Sequence, residues 1–164
     1  MHFILLTHSR ELSKNTATGP LVKQLMQDQC EIIEWSRTQP DPRLTDLLDS
    51  SKTLLIYPET DKSIEPLQGQ DDISEFNTFI ILDGTWQEAR KIYNRSPYLH
   101  SLKHYSLDIS MPSRYQLRRN QKSMGLCTAE VAIALLQQKG EAQQANQLES
   151  QFFAFNSGLE SPQE

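Results

Sequence analysis

Short apolar runs alternate along the chain with longer stretches in which apolar residues recur every three or four positions. Runs of the first kind are typical of buried strands, and the second spacing is typical of amphipathic helices. Strands are predicted at residues 3–7, 30–35, 53–57, 78–82 and 104–109, and helices from Pro20 and at residues 44–48, 86–94, 128–138 and 141–155. Because strands and helices alternate, we expect an α/β fold with a mainly parallel sheet flanked by helices.

The segments between these elements are polar. Residues 8–19 form a predicted loop, residues 59–77 form a long acidic loop, and residues 110–125 form a basic, irregular connection. Loops as long as 59–77 are uncommon and usually functional. The chain of 164 residues favours one domain over residues 3–155, followed by a tail at 156–164 that we expect to be disordered.

The distribution of charge changes what the net charge of −5 implies. Between residues 85 and 122 lie eight of the 16 basic residues and two acidic ones, whereas residues 28–83 hold 13 acids and four bases. Charges more than about 8–10 Å apart are screened at physiological salt, so a polyanion responds to the local field. A nucleic-acid partner is therefore compatible with this acidic chain, although solvated helix faces explain the same cations equally well.

The cysteine count and the first residues of the sequence argue against several classes of protein and of metal site. The two cysteines, Cys30 and Cys127, are too few for a disulfide framework or a four-thiolate zinc site. The apolar run at residues 3–6 is too short for a signal-peptide core or a membrane span. No spacing typical of a metal hydrolase or a serine esterase occurs in the sequence. We expect a cytoplasmic protein without a metal.

The segment from Asp83 to Lys91 carries the most specific chemistry. An aliphatic strand ends at Asp83, the chain turns at Gly84, and Thr85 and Glu88 have the spacing of a helix capping box. In open α/β sheets this position borders the crevice where ligands bind. A carboxylate there is able to accept a proton or orient a ligand, or it merely accepts hydrogen bonds from the adjacent helix.

Three further features have both a functional and a structural interpretation. Trp86 suits either a core position or a cofactor clamp. Residues 113–122 are basic with one aromatic and no acid, which suits phosphate contact or a solvated loop. Cys127 and Glu130 have capping-box positions at the next helix, whose backbone N–H groups are able to bind a ligand. His8 and Arg10 follow the first strand, where isolated polar residues are most often solvated.

Several blocks together resemble the DTW-domain family, the tRNA-uridine aminocarboxypropyltransferases. In chain order they are Leu6-Thr7-His8-Ser9-Arg10-Glu11 with Asn15-Thr16-Ala17-Thr18-Gly19, then Tyr57-Pro58, Asp83-Gly84-Thr85-Trp86, Ser113-Arg114-Tyr115-Gln116-Leu117-Arg118, and Thr128-Ala129-Glu130. The third block resembles the D-x-T-W signature that names the family. Each block alone is a weak signal, but their common order from about residue 3 to residue 138 is specific.

This resemblance implies a fold related to the SPOUT methyltransferases, with a knotted C-terminal part. It also implies S-adenosylmethionine as the donor and transfer of its 3-amino-3-carboxypropyl group to N3 of a uridine in tRNA. Related rRNA enzymes have a D-x-x-W-x-x-A arrangement, which Asp83, Trp86 and Ala89 match. By this resemblance, Trp86 and Ala89 shield the methyl group, and Asp83 accepts the N3 proton or orients the nucleotide.

The resemblance also implies a distribution of site residues. Asp83 is the implied catalytic residue. The implied donor-binding residues are Tyr57, Pro58, Thr85, Trp86, Ala89, Cys127, Thr128 and Glu130. The residues expected to contact RNA are His8, Arg10, Arg90, Lys91, Arg114, Arg118, Arg119 and Lys122.

Two departures from the family pattern bear on these expectations. Family members commonly carry an N-terminal Cys-rich segment that looks zinc-binding, whereas this sequence begins at the first strand, so RNA docking is expected to be weaker, differently placed or supplied by a partner. Cys127 replaces the family serine and is a poorer cap. The alternatives are rRNA aminocarboxypropyl transfer, SPOUT-like RNA methylation, and a non-catalytic RNA-binding module. A monomer is expected.

Overall fold

The computed structural model describes residues 1–48, 51–57, 64–67, 72–107 and 126–160. Within these ranges six strands form one sheet: β1 (His2–Thr7), β2 (Cys30–Glu34), β3 (Thr53–Ile56), β4 (Ile64–Leu67), β5 (Thr78–Asp83) and β6 (Lys103–Tyr105). Their order is β2-β1-β5-β3-β6-β4, and every neighbouring pair is parallel. The predicted α/β fold with a mainly parallel sheet is confirmed.

Helices cover both faces of this sheet. They are α1 (Ser9–Leu12), α2 (Gly19–Met26), α3 (Pro42–Leu48), α4 (Trp86–Asn94), α5 (Thr128–Gln138) and α6 (Ala142–Glu160), with 3-10 turns at Gln27–Gln29 and Pro97–Leu99. Successive side chains of a strand point to opposite faces of the sheet. Because consecutive residues of β1 are apolar, both faces of the sheet are apolar there. Along β1, Phe3 and Leu5 face the cluster formed with α2, α5 and α6, whereas Ile4 and Leu6 face the cluster formed with α3 and α4.

Four details differ from the sequence-based prediction. The segment predicted as the loop 59–77 contains β4, which lies at the edge of the sheet formed by the described strands, a position where a proline such as Pro66 is tolerated. The predicted loop 8–19 contains the one-turn helix α1. Strand β6 begins one residue before the predicted strand 104–109 and ends at Tyr105. Helix α6 continues past residue 155 to Glu160, because Asn156 is buried against the fold.

Residues 108–125 and 161–164 lie outside the described ranges. The SPOUT-like knot and the basic segment therefore stay predictions. No helix within the described ranges is both long and apolar enough to cross a membrane.

The strand order determines where a site is able to form. From β1 the chain moves outward to β2, and it then crosses β1 and β5 to reach β3. At such a reversal the adjacent loops diverge and leave a crevice at the carboxyl ends of the strands. The carboxyl ends of β1, β5 and β3 meet there, and they deliver Thr7, Asp83 and Tyr57 to one edge.

Candidate active site

Asp83 ends β5 at this edge, and its carboxylate is held inside the protein. The residue is 2% exposed. Its Oδ1 accepts a 2.6 Å hydrogen bond from the Thr128 hydroxyl, and its Oδ2 lies 3.1 Å from the Thr7 hydroxyl. Hydroxyl–carboxylate bonds near 2.6 Å are among the stronger ones in proteins. The carboxylate therefore joins β5 to β1 and to the start of α5.

The first turn of α2 is shaped around the same carboxylate. A Cβ atom on Gly19 would lie 2.8 Å from Asp83 Oδ2, closer than these atoms are able to approach. Beside it, the fully buried Thr18 accepts a 3.1 Å hydrogen bond from the backbone N–H of Ala129. Thr18 and Gly19 thus bring the starts of two helices against Asp83.

The start of α4 is determined by its own residues. Thr85 Oγ1 accepts from the Glu88 backbone N–H at 3.1 Å, and Glu88 Oε1 accepts from the Thr85 backbone N–H at 2.9 Å. The predicted capping box is confirmed. A side chain at Gly84 would come within 2.9 Å of Glu88 Oε1 and displace the cap.

A second polar group lies on the β1 side of the crevice and centres on His8. Its ring stacks on Trp35 with centroids 5.9 Å apart, and its Nδ1 accepts from the Arg10 backbone N–H at 3.2 Å. A neutral ring that accepts at Nδ1 carries its proton on Nε2. Within the described residues Nε2 has no partner, so His8 offers one N–H donor to a ligand.

Glu88 connects this group to the helix start. Its Oε2 lies 3.8 Å from His8 Nδ1, and its Oε1 lies 4.0 Å from Lys14 Nζ. Burial opposes ionisation of Glu88, but the hydrogen bond from the Thr85 backbone N–H and the positive charge of Lys14 lower the pKa of Glu88. Glu88 therefore stays anionic and holds the helix start at the edge of the crevice, whereas Lys14 lies closer to Glu11 Oε2, at 3.2 Å.

A stack of three aromatic rings forms the β3 side of the site. Tyr57 stacks on Trp86 with centroids 5.8 Å apart and an interplanar angle of 15°, and on Tyr93 at 4.2 Å and 8°. Tyr57 is buried, whereas Trp86 is 39% exposed. Burial raises the pKa of Tyr57 to about 12, against an opposing effect of the nearby Arg90. Trp86 is therefore the exposed end of a stack anchored in the core.

The inner end of this stack is anchored by a buried histidine. Tyr93 Oη lies 2.8 Å from His104 Nε2, and His104 Nδ1 lies 2.8 Å from the carbonyl oxygen of Leu102. Since a carbonyl only accepts, Nδ1 carries the proton and Nε2 accepts from the tyrosine hydroxyl. Burial lowers the pKa of His104, which keeps the ring neutral in this arrangement.

At the start of α5 the side chains mainly bond within the protein. Glu130 Oε1 accepts from the Cys127 backbone N–H at 3.1 Å, and the Thr128 hydroxyl donates to Asp83. Burial raises the pKa of the Cys127 thiol to about 12. The backbone N–H groups of Cys127 and Ala129 are occupied as well, by Glu130 and Thr18, so the start of α5 is bonded mainly within the protein.

The structure brings together only part of the predicted site. Asp83 and Thr128 bond each other, and His8, Tyr57, Thr85 and Trp86 all follow the carboxyl ends of strands β1, β3 and β5. Ala89, on the inner side of α4, is 7% exposed and packs in the core. Arg10, Arg90 and Lys91 are exposed. Five predicted site residues lie outside the described ranges: Pro58, Arg114, Arg118, Arg119 and Lys122.

Sequence reasoning missed the groups that hold these residues in place. In the sequence, Thr7 ends a predicted strand, and Thr7, Thr18 and Gly19 all belong to the first block of the resemblance, which assigns them no contact with Asp83. The sequence signal for Thr7 is a polar residue directly after an aliphatic run, as at Asp83. The pairing of β1 with β5 then places these two residues side by side. The contact between His8 and Trp35 left no local signal, because it depends on how β1 and β2 pair.

Comparison with known proteins agrees with the family resemblance of the sequence blocks. The DTW domain matches residues 1–159. The chain is 30% identical over 148 residues to tRNA-uridine aminocarboxypropyltransferase 2 of Drosophila melanogaster, covering 86% of this chain and 58% of that protein. It is 28% identical over 157 residues to the protein of the same name from Macaca fascicularis, covering 87% and 50%. The protein of that name from Mus musculus is 27% identical over 146 residues, covering 82% and 46%.

The chain thus spans about half the length of the curated relatives it matches. No solved structure matches it significantly.

Proposed function

Because this chain belongs to the DTW-domain family, we propose that it is a tRNA-uridine aminocarboxypropyltransferase. It transfers the 3-amino-3-carboxypropyl group of S-adenosylmethionine to N3 of a uridine in tRNA and releases methylthioadenosine. The observation that carries the proposal is the position of Asp83, Thr85 and Trp86 at the carboxyl edge of the sheet, in a chain matched over residues 1–159. This edge is where α/β sheets bind their ligands.

The donor supplies an electrophilic carbon next to a sulfonium. In this proposal, the crevice at the carboxyl ends of β1, β5 and β3 holds such a donor. Ala89 is 7% exposed, so it offers the donor little surface. Thr128, held by Asp83, sets the position of the α5 start.

Asp83 acts in this proposal as a positioning residue. Its two oxygens already accept hydroxyl hydrogen bonds at 2.6 and 3.1 Å, and it is almost without exposure. A proton acceptor has to come within hydrogen-bonding reach of the substrate. His8, which is 7% exposed, is the second polar side chain at this edge, and in this proposal it donates an N–H to a uracil oxygen, because its Nε2 lacks a partner among the described residues. Holding the two substrates in line accounts for most of the rate enhancement.

The decisive experiment incubates the purified protein with S-adenosylmethionine and unmodified tRNA. Mass spectrometry of the digested RNA and of the small products is expected to show aminocarboxypropyl-uridine and methylthioadenosine. S-adenosylhomocysteine with methylated RNA would replace the proposal by a methyltransferase. Modification of rRNA and not of tRNA would overturn the substrate assignment. When the assay is repeated with Trp86→Ala, the control variant is Phe153→Ala, which also removes an exposed aromatic ring, on α6.

A further inference from the structure

The outer surface of α4 is basic, although the chain as a whole is acidic. Its exposed residues are Trp86, Gln87, Arg90, Lys91 and Asn94, and they include no acid. The one acid of the helix, Glu88, is occupied by the capping box and by contacts with His8 and Lys14. This surface therefore suits a polyanion despite the net charge of −5.

Within this surface Trp86 is held with one face available. Tyr57 covers its inner face, and among the described residues no other ring stacks on the indole. The plane of the indole is set in advance by Tyr57, Tyr93 and their anchor at His104. A preset aromatic face costs little entropy when a flat ligand stacks on it.

Arg90 lies one helical turn beyond Trp86, so the two side chains are neighbours on the helix surface. The effect of Arg90 on the pKa of Tyr57 places the guanidinium near the same stack. An aromatic face with an adjacent cation is the combination that binds single-stranded nucleic acid, since the ring stacks a base and the cation contacts a phosphate.

We propose that the outer surface of α4 binds a single-stranded loop of the RNA, with one unstacked nucleobase on the free face of Trp86 and a neighbouring phosphate at Arg90. This inference rests on the proposed function for RNA as the substrate. The adenine of the donor is the other flat ring to consider. However, S-adenosylmethionine has no phosphate for the cations, and small ligands are usually enclosed to 70–90% whereas Trp86 lies on an outer surface.

Tryptophan fluorescence tests the assignment of the base, because Trp35 and Trp86 are the two tryptophans of the chain. Short oligouridylate and S-adenosylmethionine are titrated separately into the wild-type protein and into Trp86→Phe. Oligouridylate is expected to quench the wild-type emission, and this quenching is expected to disappear in Trp86→Phe. Unchanged wild-type emission, quenching that persists in Trp86→Phe, or quenching by the donor alone would overturn the inference.

Affinity measurements test the two contacts independently of the emission. Trp86→Ala is expected to weaken oligouridylate binding about 5- to 150-fold, while Phe153→Ala leaves it unchanged. Arg90→Gln is expected to reduce the slope of log affinity against log salt by about 0.7. Lys103→Gln, which removes the same charge at the amino end of β6, is the matched control and should leave the slope unchanged. Equal slopes for both variants would refute the phosphate contact.

The two proposals fail in different ways. If the tRNA is modified but Trp86→Ala binds RNA as the wild type does, the surface of α4 is not the docking site and the proposed function stands. If no RNA is modified while oligouridylate still quenches Trp86, the docking surface stands and the proposed function fails. Thermal melting of each variant identifies any loss of affinity that reflects unfolding.

Discussion

Replacing Asp83 separates its structural role from its chemistry. In Asp83→Ala, the hydroxyls of Thr7 and Thr128 lose the buried carboxyl group that they contact. Leaving the Thr128 hydroxyl without its acceptor costs about 1–3 kcal/mol and losing the shared Thr7 contact about 1 kcal/mol, so we expect the alanine variant to lose about 2–4 kcal/mol of unfolding free energy. That loss is a large part of the stability of a small domain.

Asp83→Asn should be much milder, for a reason visible in the contacts. The Thr7 hydroxyl lies 3.0 Å from the Leu5 carbonyl oxygen as well as 3.1 Å from Asp83 Oδ2, so its single proton is shared between two acceptors. In the variant, the amide nitrogen donates to Thr7, which donates to Leu5, while the amide oxygen still accepts from Thr128. We therefore expect a loss of about 1 kcal/mol, the usual contribution of one net hydrogen bond.

Urea denaturation of the wild type and of both variants measures these differences, with Thr128→Val as the control that removes one donor. Asp83→Asn should also retain measurable transferase activity if the carboxylate only positions Thr128 and the start of α5. A stable Asp83→Asn protein with no detectable product would refute this reasoning and make the carboxylate the proton acceptor. Equal stability of the alanine and asparagine variants would refute the hydrogen-bond analysis.

Three further predictions follow from the buried groups. Gly19→Ala should destabilise the fold by about 1–3 kcal/mol, since the added methyl group meets Asp83 Oδ2; urea denaturation measures it, and unchanged stability would contradict the close contact. Cys30 and Cys127, each with a pKa raised to about 12 by burial, should resist iodoacetamide at pH 8 in the folded protein and react in urea, as followed by mass spectrometry. Because burial lowers the pKa of His104, the unfolded chain takes up its proton first as pH falls. Its contribution to stability is therefore complete above about pH 6.5 and decreases below it, a decrease that His104→Gln should flatten in urea denaturation at several pH values.

The sequence alone was sufficient wherever a local interaction decides the structure. Helices α4 and α5 occupy the predicted residues because each begins with a capping pair three residues apart, which needs no distant partner. The aliphatic runs that became β1 and β5 were found because strands buried on both faces must be apolar throughout. Strand β4 was missed because a short edge strand exists only through its pairing with β6.

The candidate site required the tertiary structure for a related reason. The sequence located Asp83 and Trp86 and placed them at the end of a strand. What those side chains do depends on Thr7 and Thr128, which lie 76 and 45 positions away in the chain, and on Tyr57, which reaches Trp86 through the pairing of β3 with β5. Hydrogen bonds and ring contacts act over a few ångströms, so only the folded chain determines which distant residues bury the carboxylate and which support the exposed indole.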